Sequence, residues 1–544
     1  MAIDTYARAL WAKLWRTVMA VPVEWYGAVG DGVTDDSAAL KRALEAGRGT
    51  VTLGPKTYLL GSSILTNVSN VSLQGTIGKS ILKVGFTDGD ALCFGDGTAN
   101  PNNIVVDGVS FLSSVTRTSG SILRIRNGHN INFNNLRMDG DMWDGIALDG
   151  GAGQFTYRVN DCEINSPLNN AIVIGADGTL PQDVYISESV CAGAAENGIL
   201  LKNVSGLWLT NLELLGCKNG LNIYPDTGKS VQFVFATNVV SDTNDNDAVV
   251  ISSNGGRVQM LYFNGAWAAS SVSGNGVNVD GTGGDVSHIY FYDSHLTNNT
   301  QCGAKIQSAD NVYFKTVDAL GNSASGLNNF DAIRFVSGSG FGVSGLTVGP
   351  VPNLGTNNTR YGVVFESGTD YISASEWGVV TANTGRMLDL CPTNNKSFTN
   401  IGGSDEFAAS FKKRVGDYRV EGRVVSTGVD LNEADAYVSP ASGDTIHTKA
   451  GTNSGTNKYT GDFNQNVLID NGSPLAVLTI RLPPSIRGRT VTYSSPSGVT
   501  ALTVQNETGG TSDIRNPSGL SGRLSGGGVL RMKCMFDTLI WVEC

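Results

Sequence analysis

The fold is decided by a stretch that repeats its own opening, residues 197–223, NGILLKNVSGLWLTNLELLGCKNGLNI. At each end, Asn-Gly precedes two apolar residues that are separated by a single residue, Ile199/Leu201 and Leu221/Ile223. Because side chains alternate between the two faces of a strand, each pair predicts a short strand with two inward side chains.

The same pattern continues outward in both directions, from about residue 120 to residue 390. The first residue of each apolar pair lies between positions 123 and 388, and the ten steps between successive pairs average 26.5 residues. The pairs are Leu123/Ile125, Ile146/Leu148, Ile172/Ile174, Ile199/Leu201, Leu221/Ile223, Val249/Ile251, Val277/Val279, Ala304/Ile306, Ile333/Phe335, Val363/Phe365 and Leu388/Leu390. A second series lies between them, Ile131/Phe133, Val184/Ile186, Leu207/Leu209, Val231/Phe233, Leu261/Phe263, Ile289/Phe291, Val312/Phe314 and Ile372/Ala374.

A period in the twenties suits leucine-rich repeats or a parallel β-helix. The LxxLxLxxN pattern is missing and no helical periodicity separates the strands, so the sequence predicts an all-β parallel β-helix of about eleven coils. Asparagines recur at equivalent coil corners, where we expect a structural ladder in left-handed backbone geometry. They are Asn170, Asn197, Asn219 and Asn275.

Composition excludes several classes of function. The chain has 38 Lys and Arg against 49 Asp and Glu, a net charge of -11, so it lacks the basic surface that binds nucleic acid or anionic lipid. Its eight cysteines show no metal-ligand spacing, which predicts buried free thiols, no metal and no cofactor. No apolar run approaches the roughly 18 residues that a membrane-spanning helix needs.

The regions outside the repeat predict separate elements. Residues 1–21 contain an amphipathic helix over 5–20, which we expect to anchor the chain to a partner. Residues 22–100 hold the first coils and a capping helix, Ala38 to Ala46, and residues 101–410 hold the main β-helix. Alternating strands between Pro, Gly and Ser turns in residues 411–544 predict a β-sandwich.

Residues 25–40, WYGAVGDGVTDDSAAL, resemble the start of the pectate-lyase superfamily β-helix found in phage tailspikes and polysaccharide-degrading enzymes. The resemblance covers roughly residues 22–400. It implies a right-handed β-helix, a parallel homotrimer, a bacterial surface polysaccharide as substrate and a place in the virion tail. The start of this segment by residue 22 predicts attachment to the phage tail or another tailspike through the helix of residues 5–20, and a C-terminal module that trimerises or binds carbohydrate.

Two groups of carboxylates are candidates for glycoside hydrolysis, which needs a paired acid and base. Glu163, Glu188 and Glu213 follow at intervals of 25 residues, which predicts a ladder on one outer face. The alternative is that they are ordinary solvated residues. The second group, Asp242, Asp245 and Asp247, is expected near Tyr224 and Asp226, as a catalytic or calcium-binding loop or as a solvated corner.

A lyase is the alternative enzyme, because elimination beside a uronate needs a base. His288, Tyr290, Tyr292, His295 and Lys305 are concentrated in one coil and the next, and the two tyrosines are expected to face outward. Surface or turn positions for the two histidines are the other interpretation.

Outward aromatic residues are candidates for sugar binding, since sugar rings pack on aromatic faces. They are Trp208, Tyr224, Tyr262, Trp267 and Tyr290, and some are equally suited to trimer contacts. Outward Val173, Leu200 and Val250 predict a trimer unless loops cover them. The expected function is endo-acting cleavage of capsule or O-antigen, by hydrolysis in preference to elimination, with a non-catalytic adhesin as the other class.

Overall fold

The computed structural model describes residues 20–46, 49–150, 156–352, 358–393, 395–399 and 401, and the backbone of strands between 445 and 543. Within these residues the chain is almost entirely parallel β-structure. The helical elements there are the 3-10 turn Val23–Tyr26 and the α-helix Ser37–Glu45. This confirms the predicted all-β solenoid.

Each coil of the β-helix contributes strands to three parallel ladders, which we number in the order the chain visits them. The first and second ladders are often formed by the two halves of one long strand with a corner in its middle. The third ladder is formed by a short separate strand. Residues in neighbouring coils pair at nearly constant register, so equivalent side chains stack at about 4.8 Å.

The strands of the first and second ladders begin close to the N-terminus. The short strands are Val21–Pro22, Asp31–Asp35, Gly49–Thr52, Thr57–Leu60, Val71–Gln74, Ile81–Val84, Asn102–Asp107, Ser110–Ser113, Arg257–Asn264, Trp267–Ala269 and Thr347–Gly349. The long strands are His129–Gly140, Tyr157–Asn165, Gln182–Ala192, Val204–Leu215, Ser230–Asp242, Asp285–Thr297 and Ala309–Leu320.

The third ladder contains the strands that carry the first series of apolar pairs. They are Ile64–Thr66, Leu92–Phe94, Ser121–Arg126, Asp144–Asp149, Asn170–Ile174, Asn197–Leu201, Asn219–Ile223, Val249–Ser252, Val277–Asp280, Ala304–Gln307 and the start of Ile333–Ser344. The strands Tyr361–Ser375, Gly385–Asp389 and Lys396–Thr399 follow.

Both predicted series of inward pairs are confirmed with one exception each. In the first series the last pair is wrong, because Met387 is the buried residue and Leu390 is 51% exposed. In the second series Val231/Phe233 is wrong. Phe233 is an extra residue with a left-handed backbone, φ 57°, and the inward pair that follows it is Val234/Ala236. A bulge of this kind shifts the alternation by one residue.

The asparagine ladder is confirmed, but not its predicted geometry. Asn197 donates from Nδ2 to Asn170 Oδ1 at 2.8 Å, and Asn219 donates to Asn197 Oδ1 at 3.1 Å, all of them buried. Asn275 donates instead to Asp247. None of the four has a positive φ. The left-handed corner residues are others, such as Asn211 and Asn238 between the first and second ladders.

Removing an amide from the middle of this ladder should destabilise the coil. Asn197→Ala leaves the Asn170 acceptor and the Asn219 and Asn222 donors without their partner, so we expect a loss of about 2–3 kcal/mol in the free energy of unfolding. Asn67→Ala, which removes an exposed hydrogen bond to Asp96, is the control and should cost less than about 0.5 kcal/mol. Equal losses in denaturant unfolding would contradict the ladder's role.

The helix Ser37–Glu45 occupies nearly the predicted residues. Leu40 and Leu44 are buried on its apolar side, which contacts the strand Ile64–Thr66 and the 3-10 turn. Asp36 accepts the backbone N–H groups of Val29 and Gly30, at 2.7 and 3.1 Å, instead of capping the helix. The acidic residues at this turn are therefore structural, and the role of the helix as a cap stays a prediction.

Outward apolar residues on the third ladder are covered within a single chain. Val173 and Leu200 are 4% and 9% exposed and pack with Ala147, while Val250 is half-buried. Val173 and Leu200 are therefore buried by residues of their own chain, which is the alternative to a trimer stated above. These residues give no support to a trimer, which stays a prediction.

The thiols behave as predicted where the structure describes them. Cys93, Cys162, Cys191, Cys217, Cys302 and Cys391 are buried and unpaired. Burial raises the pKa of Cys162 and Cys302 to about 12, so these thiols are unreactive near neutral pH. Among the described helices, none has the length and apolar character needed to cross a bilayer.

The chain divides into two compact units. One runs to Gly342 and includes residues 346–364 and 381–384, and the other holds 343–345, 365–380 and 385 onward. The C-terminal strands of the second unit are Thr445–Lys449, Gly455–Lys458, Gln465–Asp470, Leu475–Arg481, Thr490–Ser494, Val499–Gln505, Val529–Cys534 and Trp541–Glu543.

These C-terminal strands lie within residues 411–544, where alternating strands were predicted, and they form two sheets. Up to Gln505 the strands alternate between the sheets and pair in parallel, as in a coil, and antiparallel pairing begins at Val529–Cys534. The face-to-face packing of a β-sandwich stays a prediction. The predicted anchor helix of residues 5–20 lies outside the described residues.

Candidate functional site

A column of stacked aromatic rings runs along the outer face of the first ladder. Its members are Tyr185, Trp208, Phe235, Tyr262, Tyr290 and Tyr313, which occupy one register position in six successive coils. Successive ring centroids are 4.6–5.6 Å apart, with interplanar angles between 6° and 21°. Five inter-strand spacings give this aromatic column a length of about 24 Å.

Sequence reasoning found half of the aromatic column, Trp208, Tyr262 and Tyr290, and missed Tyr185, Phe235 and Tyr313. The signal for two of these was present, because Tyr185 and Tyr313 are the outward residues of the predicted pairs Val184/Ile186 and Val312/Phe314. Phe235 was hidden by the wrong pair Val231/Phe233. The predicted outward orientation of Tyr290 and Tyr292 is confirmed, and their rings lie 6.1 Å apart. The other two predicted aromatics, Tyr224 and Trp267, are exposed at positions outside the column.

Stacking determines which surfaces of these rings a ligand can reach. A ring in the middle of the column has a neighbouring ring on each face, so it presents mainly its edge. At one end, the guanidinium of Arg158 covers Tyr185, with Cζ 5.5 Å from the ring centroid. The column therefore offers a flat apolar strip edged by tyrosine hydroxyls, and face-on contact with a sugar needs a ring outside the stack.

The three glutamates do not form the predicted ladder. Glu163 and Glu213 share one register position on the second ladder, but Val190 stands between them. Glu188 lies two residues earlier, at a left-handed corner with φ 49°, where Asn211 Nδ2 donates to its carboxylate at 2.6 Å. The prediction from the interval of 25 residues was wrong because successive coils differ in length.

Glu163 and Glu213 nevertheless stand on one face, two coils apart, with a backbone separation of about 9.6 Å. Glu163 accepts a hydrogen bond from Asn165 at 2.9 Å and lies 3.6 Å from the guanidinium of Arg137. Glu213 is exposed, and none of the hydrogen bonds or ion pairs found in the described part of the chain involves its carboxylate.

The acidic turn at residues 242–247 is separated from Tyr224 and Asp226. It stacks on residues 217–218, before the third-ladder strand, whereas Tyr224 follows that strand. Asp247 is buried and accepts from Asn275 and Asn278, so its role is structural. Asp245 is exposed, and Asp242 is half-buried with one oxygen that has no hydrogen-bond partner. No cluster of potential metal ligands occurs in the described ranges.

The proposed lyase residues are divided among all three ladders. Tyr290 and Tyr292 belong to the first ladder and His295 belongs to the second. His288, Tyr290, Tyr292 and His295 lie on the strand Asp285–Thr297, while Lys305 is on the third ladder between Asn278 and Arg334. Lys305 is therefore not part of the same group.

His295 occupies a small column of its own on the second ladder. Its Nδ1 lies 3.3 Å from Asp318 Oδ2, and its ring lies 5.2 Å from the Trp267 ring. All three side chains are well exposed. A histidine oriented by a carboxylate is an arrangement that suits a general base.

A buried ion network on the third ladder was missed from the sequence. Arg124 contacts Asp149 at 2.6 Å and Asp90 at 3.6 Å, and Arg126 contacts Asp90 at 3.2 Å. Burial raises the pKa of Asp149 to about 6, although Arg124 acts in the opposite direction. Asp149 is completely buried, so its carboxylate depends on Arg124 and not on solvent for its charge partner.

Comparison with known proteins agrees with this architecture. Residues 20–222 match the family model described as rhamnogalacturonase A/epimerase, pectate lyase-like. This part of the chain is similar to pectate-lyase-like proteins. The non-secreted LysM effector LysM15 of Penicillium expansum is 24% identical over 393 residues, 64% of this chain. The chain spans only 23% of that protein's length.

Several solved structures are similar to this chain at low identity. The A-module of mannuronan C-5 epimerase AlgE4 from Azotobacter vinelandii is 15% identical, with TM-score 0.45 over 70% of this chain and 100% of that one. Tailspike protein 3 of bacteriophage CBA120 is 15% identical, with TM-score 0.47 over 70% and 61%. Likenesses this distant carry no argument about substrate or reaction.

Proposed function

We propose that this protein is a phage tailspike depolymerase, which binds a bacterial capsule or O-antigen along the outer face of its β-helix and cleaves it internally. The observation that carries the proposal is the aromatic column, with the carboxylates Glu163 and Glu213 on the adjoining ladder. A strip about 24 Å long extends over several sugar units, as an endo-acting enzyme requires. The resemblance of residues 25–40 to tailspike β-helices supports the same function.

Hydrolysis is the reaction we favour. Inverting glycosidases hold their two carboxyl groups about 6.5–9.5 Å apart, which leaves room for a water molecule. The backbones of Glu163 and Glu213 are about 9.6 Å apart, close to the upper end of this range. Glu163, which accepts from Asn165 and lies beside Arg137, is assigned as the base. Glu213, an exposed carboxyl without such donors in the described residues, is assigned as the acid.

Elimination is the second candidate, and the His295–Asp318 pair favours it. A lyase base removes a proton beside a uronate carboxyl group, and His295 is exposed and oriented for that task. The His295→Ala variant distinguishes the two reactions. We expect it to retain at least about half of the cleavage rate if hydrolysis is correct, and to lose about 10²-fold or more if His295 is the base.

The experiment that tests the reaction is incubation of the purified protein with capsular polysaccharides and O-antigens from a strain panel. New reducing ends and the ultraviolet absorbance of an unsaturated uronate are read together. We expect reducing ends without the absorbance. Reducing ends with the absorbance would replace hydrolysis by elimination, and binding without products would leave a receptor-binding adhesin.

The assembly proposed with this function is a parallel homotrimer on the virion tail, joined to the tail or to another tailspike through residues 5–20. Sedimentation of the full chain tests the trimer. A pull-down of the tail proteins with and without residues 5–20 tests the attachment, and equal capture by both chains would contradict it.

A further inference from the structure

A depression beside the aromatic column has no assigned role. It is lined by residues of three successive coils, among them Asp183, Gly206, Trp208 and Phe233. Asp183, Gly206 and Phe233 occupy the same place in their coils, the extra residue that precedes each inward pair of the first ladder. We call this depression the Gly206 notch.

The backbone at these extra residues is left-handed, which favours asparagine and glycine over bulky residues. Asn70, Asn103, Asn130 and Asn311 hold the position elsewhere, with φ between 52° and 58°. Larger residues also occur at this position, because Phe233, Met260 and His288 hold it in three successive coils, with φ 57°, 58° and 59°. The side chain of Phe233 is 45% exposed, and no other ring stacks on it among the described residues. An exposed aromatic face beside an open depression is a surface on which a sugar ring can pack.

Glycine one coil before Phe233 leaves the space that such a ligand would occupy. Asp183 and Phe233 are two coils apart, about 9.6 Å along the stack, and Gly206 contributes no side chain between them. A Cβ at Gly206 would lie 3.2 Å from Asp183 Oδ1 and 3.5 Å from Trp208 Cζ3. The carboxylate of Asp183 and the edge of Trp208 therefore border the notch directly.

We propose that the Gly206 notch is a sugar-binding subsite, in which one uncharged pyranose ring packs on Phe233 and donates a hydroxyl hydrogen bond to Asp183. Unlike the rings of the aromatic column, the exposed ring of Phe233 has no ring stacked on it in the part of the chain that the structure describes. Asp183 is the charged residue among the lining residues and no basic side chain is among them, so the carboxyl group of a uronate would be repelled.

This subsite rests on the proposed function only in its ligand class, a carbohydrate. It predicts that the unit held there is a hexose or an N-acetylhexosamine and not a uronic acid. Phe233→Asn is the decisive variant, because asparagine suits the left-handed backbone and the fold should be kept. Tyr371→Asn is the matched control, since Tyr371 is also an exposed aromatic residue with positive φ, 47°, and lies outside the notch.

The test is saturation-transfer NMR on the full chain with the methyl glycosides of glucose, galactose, N-acetylglucosamine, N-acetylgalactosamine and glucuronic acid. We expect at least one uncharged glycoside to bind the original protein and the Tyr371→Asn variant equally, and to bind Phe233→Asn about tenfold more weakly or not at all. We expect methyl glucuronide to bind only after Asp183→Asn, which removes the charge.

Two results would overturn the subsite. One is equal binding of the glycosides by the original protein and Phe233→Asn, or no binding of any glycoside by either. The other is binding of methyl glucuronide to the original protein as tightly as an uncharged glycoside. Because no step requires cleavage, the subsite can stand if the depolymerase assay fails, and it can fail while cleavage is observed.

Discussion

Replacing Glu213 by Gln is expected to lower the rate of polysaccharide cleavage by about 10²–10⁴-fold, because the amide cannot donate the proton that the leaving oxygen requires. Substrate binding should change little, since the variant keeps the shape of the side chain. The measurement is the initial rate of reducing-end formation, together with KM, on the polysaccharide identified from the panel.

Glu196→Gln is the matched control for this prediction. Glu196 is also an exposed glutamate in a neighbouring part of the β-helix, where it pairs with Lys218 at 2.7 Å. It should retain nearly full activity. A Glu213→Gln protein that cleaves at the same rate as the control would remove Glu213 from the mechanism.

Replacing Arg124 by Met is expected to cost about 3–5 kcal/mol of folding stability at pH 8, because it leaves the buried carboxylate of Asp149 without its counter-ion. The cost should be smaller at pH 5. Burial raises the pKa of Asp149 to about 6, so at pH 5 this group is already largely protonated in the folded protein.

The sign of the pH dependence follows from linkage. A carboxyl group whose pKa is higher in the folded state stabilises the fold below its unfolded value, near 4, and this contribution is lost as the pH rises through about 6. Without Arg124 the pKa of Asp149 rises further. The folding stability of the variant therefore continues to fall with rising pH up to a higher pH than in the original protein. Denaturant unfolding at pH 5 and pH 8 measures the difference.

The control for this variant is Arg137→Met. Arg137 also pairs with two carboxylates, Asp139 and Glu163, but it is about half exposed, so the change should cost less than about 1 kcal/mol at either pH. An Arg124→Met protein that loses no more stability than this control, or loses the same amount at both pH values, would contradict the account of the buried network.

The fold was predictable because inward apolar pairs are a local signal that repeats in every coil. The errors came where one residue disturbs the alternation. Phe233 is apolar and stands two residues after Val231, so it mimics an inward residue, and nothing local shows that the chain bulges there. The prediction for Glu188 was wrong for a related reason. A corner residue adds one to the sequence spacing between coils, but its side chain does not lie on the ladder.

The candidate site was only partly predictable, because the sequence gives the direction of a side chain but not what covers it. Five members of the aromatic column follow from the predicted register, whereas Phe235 joins it only through the bulge at Phe233. The Asp90, Arg124 and Asp149 network could not be found that way. Its members come from three coils, and their burial depends on neighbouring segments whose placement no periodicity specifies.

The central claim, that this β-helix cleaves a surface polysaccharide internally, is tested most directly by following the mass distribution of the cognate polysaccharide with light scattering during incubation. An endo-acting enzyme should lower the mean mass of the polymer steeply while few new ends have formed, and Glu213→Gln should abolish the fall. A polymer that binds the protein yet keeps its full mass would contradict the claim.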